Sequence, residues 1–181
     1  IKPLVIVRFR CLESSRIGQF ATDTEIYLCE KDAGMHSPKT LDLLYQGLPI
    51  SNYQLKKMFD RRLKTSNIFR ILDRVNRALP GWERHVVPWP TERDIHNLIT
   101  ATPQHFFFTE EEERFGNHQR RNMGIPDGAD FICFHARDCA YLDTAISSEN
   151  WHYHDFRDSR IQAYSPAALE LASRGYFMVR M

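Results

Sequence analysis

The run Asp130-Phe-Ile-Cys-Phe-His135 is apolar at its centre, and Ala136-Arg137-Asp138 follows it directly. A short apolar run with polar flanks is typical of a buried strand. Further along, Ser165-Pro166 predicts the start of a helix, because proline favours the first helical turn. Residues 176–180 form another mainly apolar run and predict a second strand. Strand, helix and strand in this order predict a βαβ unit over 130–181 whose two strands are parallel.

The same alternation of strands and helices extends towards the N-terminus. Residues 3–9 and 41–45 predict strands, and residues 18–30 predict the helix between them. Two further helices each carry apolar residues on one face, which we expect to lie in the core. The first face comprises Leu55, Met58, Phe59 and Leu63, and the second comprises Ile68, Ile71, Leu72, Val75 and Leu79. Thr109 and Glu112 form the pattern of a capping box at the start of a fourth helix.

This order of elements predicts an α/β fold of the doubly wound, Rossmann-like kind. We place an N-terminal α/β domain at residues 1–126 and the opening βαβ unit of a second, truncated domain at residues 127–181. The loop between the strand at 130–135 and the helix at Ser165 is far longer than the ~2–6 residues usual for a βα connection. A loop of this length often carries function.

Charge and composition exclude several classes of protein. The chain has 181 residues with 24 basic and 23 acidic side chains, and its net charge of +1 provides no strong field for nucleic acid. No run reaches the ~18 apolar residues that a membrane-spanning helix needs. The four cysteines form no CxxC pair, which favours free thiols in a cytoplasmic protein over a zinc knuckle or a disulfide framework. We expect Cys133, which stands in an apolar run, to be buried.

His135, Arg137 and Asp138 follow the predicted strand and are the first candidate site. Ligands of open α/β sheets bind beyond the carboxyl ends of the strands, and the planar guanidinium of Arg137 suits phosphate oxygens. Asp138 is suited to orienting Arg137 or to accepting a hydrogen bond from a ligand hydroxyl. Position alone leaves a second interpretation open, namely an ordinary Arg–Asp pair at the surface.

The long loop contains a second cluster of polar and aromatic residues, at 151–158. Two histidines and two aspartates within seven residues are ligands that a divalent metal accepts: His152, His154, Asp155 and Asp158. We favour contact with a polar substrate as the interpretation of this cluster. A solvated loop that is anchored by its aromatic residues is the third possibility.

Arg16 and Gly18, between the first strand and its helix, are the third candidate site. A glycine near a helix N-terminus lets a ligand approach backbone N–H groups, whereas a plain βα turn also explains these residues. Two basic runs, at residues 56–64 and 120–121, fit solvent-exposed helix faces. The first run offers an alternative role in contact with anionic lipid.

Six stretches of the sequence, spread over almost the whole chain, occur together in a recognisable order. They are Arg16-Ile-Gly-Gln-Phe-Ala21, Ile50-Ser-Asn-Tyr-Gln-Leu55, Phe108-Thr-Glu-Glu-Glu112, Phe134-His-Ala-Arg-Asp138 with Tyr141-Leu142, Tyr153-His-Asp-Phe-Arg157, and Gly175-Tyr-Phe-Met-Val-Arg-Met181. Each stretch alone is weakly specific, and the ordered set is fairly specific. The set resembles a family of bacterial glycosyltransferases that belong to surface-polysaccharide gene clusters. The His-x-Arg element at a strand end is also similar to the fucosyltransferase-like variant of the GT-B fold.

The resemblance implies a GT-B fold with an acceptor-side domain at residues 1–126 and the beginning of a donor-side domain at residues 127–181. It also implies that Arg137 contacts the diphosphate of the donor, with His135 beside it. The fucosyltransferase-like pattern has a second arginine directly after the first, and Asp138 stands there instead. The family continues well past Met181, so this chain is expected to lack part of the donor site, which puts its activity as a fragment in question.

The activity implied by the resemblance is transfer of a sugar from a nucleotide diphosphate to an acceptor hydroxyl. The residues expected to bind substrate are His135, Arg137, Arg16, Gly18, Tyr141 and Arg157. The candidates for the catalytic base are Asp138, His154 and Asp155. No cofactor is expected, and a divalent metal is an alternative that we do not favour.

The expected partners are a nucleotide-diphosphate sugar and a glycan or glycolipid acceptor, and nucleic acid is not among them. The expected location is the cytoplasm, with peripheral contact at the inner face of the membrane. Two other functions remain open: a non-catalytic sugar- or nucleotide-binding α/β module, and a metal-dependent phosphoester hydrolase that uses His152, His154 and Asp155. Sugar transfer without a metal would favour the glycosyltransferase, and ligand binding without turnover would favour the binding module. Metal-dependent hydrolysis of a phosphoester would favour the hydrolase.

Overall fold

The computed structural model of the protein describes residues 5–88, 93–145 and 150–181, apart from the side chains of Tyr141, Leu142, Ala145 and His154. These residues form a mixed α/β protein with two small parallel sheets. The chain divides into two compact units, Ile1–Phe108 and Thr109–Met181, which we name the first unit and the second unit. No helix among the described residues is both long enough and apolar enough to cross a membrane.

The first unit is built on a parallel pair of strands, β1 (Ile6–Leu12) and β2 (Thr40–Gln46), joined through helix α1 (Ile17–Asp32). Single parallel bridges extend this sheet on both sides, from Phe9 to Val86 and from Leu44 to Thr65. The remaining elements follow β2 in the order α2 (Tyr53–Asp60), α3 (Asn67–Asn76), a 3-10 helix (Trp82–His85) and α4 (Leu98–Ala101).

Strand β1 begins and ends later than the predicted residues 3–9, and residues 1–4 lie outside the described part of the chain. The predicted strand includes Arg8, which lies within the sheet, directly opposite Asp42 of β2. Its Nε and Nη2 atoms donate to the two carboxylate oxygens of Asp42 at 2.7 and 2.9 Å. The strand can therefore contain a buried charge, because its neighbour supplies the counter-ion.

The core of the first unit combines side chains from both strands with those of α1 and α2. Phe20 and Tyr27 of α1, Leu44 of β2 and Phe59 of α2 are each exposed to 1% or less. The predicted helix at residues 18–30 is confirmed. The predicted inner face of α2 is also confirmed, since all four of its apolar residues are buried: Leu55, Met58, Phe59 and Leu63.

The predicted inner face of α3 is wrong. Its apolar side chains, with that of the turn that follows, are 44–59% exposed: Ile68, Ile71, Leu72, Val75 and Leu79. The buried residue of α3 is Asp73, whose Oδ2 accepts hydrogen bonds from Tyr45 Oη at 2.8 Å and from Arg77 Nε at 3.0 Å. The hydrogen bond with Tyr45 of β2 orients α3 against the sheet and leaves the apolar side of the helix facing solvent.

The second unit contains a parallel pair of strands, β3 (Phe131–Phe134) and β4 (Phe177–Arg180). Helix α5 (Glu110–Asn122) precedes β3. The chain between the strands contains α6 (Ala140–Ala145), two 3-10 helices (His152–Arg157 and Ile161–Tyr164) and α7 (Ser165–Ser173). The parallel pairing predicted for residues 130–181 is confirmed, and the long loop contains short helical segments that were not predicted.

Burial along β3 alternates, as in a strand with one side facing solvent. Phe131 and Cys133 are exposed, while Ile132 and Phe134 are half-buried. The prediction that Cys133 is buried is therefore wrong. An apolar run predicted a strand correctly, but it did not show which side of the strand is covered.

The boundary between the units precedes α5, whereas we predicted it after this helix, at residue 126. The guanidinium of Arg120 on α5 lies 5.6 Å from the ring centroid of Phe131 on β3. Ile125, just past the helix, is 3% exposed. These contacts make α5 part of the second unit. The roles of the units as acceptor and donor sides stay a prediction.

Replacing Thr109 by alanine is expected to destabilise the second unit by about 1 kcal/mol, because Thr109 and Glu112 form both halves of the predicted capping box. Thr109 Oγ1 accepts from the Glu112 N–H at 3.3 Å, and Glu112 Oε2 accepts from the Thr109 N–H at 2.9 Å. Urea unfolding followed by circular dichroism measures the change. Thr109→Ser retains the hydroxyl and should remain close to wild type. Equal stabilities for Thr109→Ala and wild type would contradict a stabilising cap.

Candidate functional site

The residues that follow β3 form the candidate site of the second unit. The strand ends at Phe134, so His135 is the first residue beyond it and Arg137 the third. The end of β4 lies alongside, because the Met181 N–H donates to the Phe134 carbonyl at 3.0 Å. His135 and Arg137 therefore follow the carboxyl end of a parallel strand pair, which is the position where open α/β sheets bind ligands.

Arg137 is held by its backbone, but its guanidinium is only partly paired. The Ser159 N–H donates to the Arg137 carbonyl at 2.9 Å. The Arg137 Nε atom lies 3.7 Å from Oδ1 of Asp158, which is too long for a good hydrogen bond. Among the described residues, the buried atoms Arg137 Nη1 and Asp158 Oδ1 have no hydrogen-bond partner. A guanidinium with unused donors, on a backbone held by a hydrogen bond, is suited to binding an anion.

The candidate bases lie on the segments that follow Arg137. Asp138 is exposed, and its Oδ1 accepts from the Ala140 N–H at 3.2 Å, at the beginning of α6. Asp155 is also exposed, and its Oδ2 lies 3.1 Å from Nδ1 of His152. The side chain of His154 lies outside the described residues, so the predicted metal group that includes it stays a prediction.

The other predicted substrate contacts are distributed over both units. His135 and Arg157 are exposed residues of the second unit, and the side chain of Tyr141 lies outside the described residues. In the first unit, Arg16 is the residue directly before α1 and Gly18 stands in the first turn of that helix. A methyl group added at Gly18 would meet no atom within 4 Å, so the backbone there is open to approach.

Comparison with known proteins adds no information to the geometry of these residues. The chain matches no family model, no curated protein and no solved structure. From the sequence, Asp158 was identified only as a possible metal ligand, and its approach to Arg137 was not predicted. The polar cluster at 151–158 marks Asp158 as a candidate site residue, but nothing in the sequence pairs it with Arg137.

A different polar cluster lies inside the first unit. Glu25 and Cys29 of α1 and His105 are buried, and one possible ligand atom of each lies within 4.8 Å of the others. Nδ1 of His105 is 3.1 Å from Oε1 of Glu25 and 4.0 Å from Sγ of Cys29. Nε2 of His105 is 2.9 Å from Oδ2 of Asp32. Thiolate, imidazole and carboxylate form a donor set that Zn²⁺ accepts, but the same atoms also satisfy one another as a hydrogen-bond network.

The environment of Cys29 disfavours nucleophilic chemistry at this thiol. Burial raises the pKa of its thiol, and the hydrogen bond from Thr102 Oγ1 at 2.8 Å opposes this shift only in part. A protonated thiol is a poor nucleophile. Glu25 and Cys29 show helical i, i+4 spacing, but the sequence does not indicate that the distant His105 joins them.

A pocket of about 390 Å³ is the second feature that the sequence reasoning missed. It lies in the first unit, where Cys11, Tyr45 and Gly47 mark the ends of β1 and β2. Helix α3 and the turn that follows it contribute four further lining residues: Arg70, Asp73, Arg74 and Arg77. We name this the arginine pocket. The i, i+4, i+7 spacing of its arginines is visible in the sequence, but we made no prediction for these three residues.

Proposed function

We propose that the chain is part of a glycosyltransferase that transfers a sugar from a nucleotide-diphosphate donor to an acceptor hydroxyl, with Arg137 as the diphosphate ligand. The observation that carries the proposal is the partly unpaired guanidinium of Arg137 beyond the carboxyl end of β3. Diphosphate oxygens would accept the hydrogen bonds that the guanidinium of Arg137 does not donate to the described residues. A Rossmann-like, GT-B arrangement is part of the proposal, with the first unit on the acceptor side and the second unit on the donor side.

Charge development explains why an arginine is suited to this position. In the transfer, the acceptor oxygen forms a bond to the anomeric carbon while the bond from that carbon to the diphosphate breaks. The departing diphosphate takes the electron pair and gains negative charge. A guanidinium already fixed beside it stabilises this charge more in the transition state than in the ground state. The Ser159–Arg137 backbone hydrogen bond would fix the segment for that purpose.

The proton of the acceptor hydroxyl passes to a base in the same proposal. Asp138, His154 and Asp155 are the candidates, and the two aspartates are exposed. The proposal assigns no step to a metal ion. The acceptor is a glycan or glycolipid of a bacterial surface polysaccharide, and the reaction takes place in the cytoplasm, at the inner face of the membrane when the acceptor is a lipid.

Replacing Arg137 by alanine is expected to weaken binding of the donor about 10- to 100-fold, the loss typical of a hydrogen bond to a charged group. The measurement is isothermal titration of the longest natural chain with a panel of nucleoside diphosphates and their sugar conjugates. A thermal-shift screen first identifies the base, because a ligand at about a hundred times its dissociation constant adds ~2.7 kcal/mol of stability.

Arg174→Ala is the matched control, since Arg174 is an exposed arginine of the second unit that pairs with Glu170 at 2.8 Å. This variant should bind the donor as wild type does. Wild-type affinity in Arg137→Ala would overturn the role of Arg137. Donor binding without transfer to any acceptor would favour a binding module, and metal-dependent phosphoester hydrolysis would favour the hydrolase.

A further inference from the structure

The arginine pocket stands at the end of the first sheet where ligands of parallel α/β structures bind. β1 and β2 are parallel, with Leu12 opposite Gln46 at their carboxyl ends. The Gly47 N–H donates to the Leu12 carbonyl at 2.9 Å, and a Cβ atom at Gly47 would stand 3.0 Å from that oxygen. Glycine therefore lets the chain leave β2 close to the end of β1. A volume of about 390 Å³ lies within the range usual for small-molecule sites.

The lining of the pocket is cationic, with three guanidinium groups against one carboxylate. Arg77 is neutralised by Asp73, to which its Nε donates at 3.0 Å. Arg70 donates from Nη2 to the Gln46 carbonyl, and its buried Nε has no hydrogen-bond partner among the described residues. Arg74 forms neither a hydrogen bond nor an ion pair within the described part of the chain. Two positive charges therefore remain for a ligand.

The pocket also offers an acceptor beside these donors. Asp73 is 1% exposed, and its Oδ2 takes the hydrogen bonds from Tyr45 and Arg77. Its Oδ1 is buried and has no hydrogen-bond partner among the described residues. Burial and the bond to Asp73 raise the pKa of Tyr45 to about 12, so this phenol stays a donor to the carboxylate. A ligand hydroxyl could donate the hydrogen bond that Asp73 Oδ1 lacks.

We propose that the arginine pocket binds a phosphate ester of a polyhydroxylated molecule, with Arg70 and Arg74 on the phosphate and Asp73 on a hydroxyl. Guanidinium forks match phosphate oxygens, and a carboxylate accepts from sugar hydroxyls. Under the proposed glycosyltransferase function, on which this assignment of a role rests, the bound molecule is the acceptor. Its phosphate belongs either to a free sugar phosphate or to a lipid-linked one.

The test titrates glucose 1-phosphate into ¹⁵N-labelled protein and follows the amide resonances by NMR. Shifts are expected at Gly47 and Leu48, at the mouth of the pocket, and glucose without phosphate should cause none. Arg74→Ala should weaken binding about tenfold or more, and Arg74→Lys should recover part of the loss. Arg74 is exposed and unpaired in the described structure, so its replacement should leave the fold intact. Arg84→Ala, an exposed arginine outside the pocket, is the control.

A second arm measures co-sedimentation with phosphatidylcholine vesicles that contain a minor fraction of phosphatidylinositol, in which a lipid is linked through phosphate to a polyhydroxylated ring. Binding in this arm alone assigns a lipid-linked phosphate, and binding in the first arm alone assigns a free one. Binding in neither arm, or binding that Arg74→Ala leaves unchanged, overturns the proposal. All titrations are repeated in Arg137→Ala, so that phosphate bound at the second unit does not contribute. Absence of donor binding in the chain with Arg137 intact, while the arginine pocket still binds phosphate, would reject the proposed function and retain this site.

Discussion

Replacing Asp42 by alanine is expected to destabilise the first unit by about 3–5 kcal/mol, because it leaves the buried Arg8 without its counter-ion. The two side chains are 10% and 5% exposed and face each other in register across β1 and β2. Asp42 also accepts a hydrogen bond from Tyr27 Oη at 2.6 Å. Urea unfolding followed by circular dichroism measures the loss. Lys56→Ala, which breaks a partly exposed ion pair with Asp60, is the control and should cost about 1 kcal/mol or less.

The effect of Asp42→Ala should depend on pH. Burial alone would raise the pKa of Asp42, but the hydrogen bonds from Arg8 and Tyr27 and the charge of Arg8 outweigh it, so the pKa lies below its ordinary value. The ionised carboxylate therefore contributes stability above the unfolded-state pKa of about 3.9. This contribution is lost as the pH falls through the lower folded-state value. The stability difference between wild type and Asp42→Ala should shrink in that range, and a constant difference down to full protonation would contradict the ion pair.

Replacing Phe59 by alanine is expected to cost about 3–5 kcal/mol as well, through the cavity that it leaves. Phe59 is fully buried, and its ring centroid lies 5.5 Å from that of Phe20 and 5.7 Å from that of Phe106. Ile71→Ala is the informative comparison, because the sequence predicted both residues for the core. Ile71 is 56% exposed, so its replacement should change the free energy of unfolding by about 0.5 kcal/mol or less. Similar losses for the two variants would show that the apolar side of α3 is covered in solution.

The contrast between α2 and α3 shows what the sequence could predict. Both helices have apolar residues at helical spacing, and this period correctly predicted both as helices. It predicted the buried side only for α2, because apolar contacts orient that helix. Asp73 orients α3 through its hydrogen bond with Tyr45 of β2. A polar contact of this kind depends on a residue of another element, which no local pattern contains.

In the candidate site, too, features that are local in the sequence were predictable and contacts between distant residues were not. The strand before His135 and the position of Arg137 beyond it were predictable, since an apolar run and its polar end are adjacent in the chain. The approach of Asp158 to Arg137 was not, because the segments between them are short helices without a strong period. The row of arginines on α3 is visible in the sequence, but the pocket is not, since the strand ends that face these arginines come from residues far earlier in the chain.

The graded burial of the cysteines makes the two units distinguishable by thiol labelling. Cys133 is exposed in the second unit and accessible to an alkylating reagent in the folded protein. Cys29 is fully buried in the first unit, where α1 must move away from His105 before a reagent reaches the sulfur. Its modification rate therefore reports local opening of α1, a motion that scattering or activity would not resolve. Mass spectrometry of one sample can follow both sites and assign any loss of order to one unit.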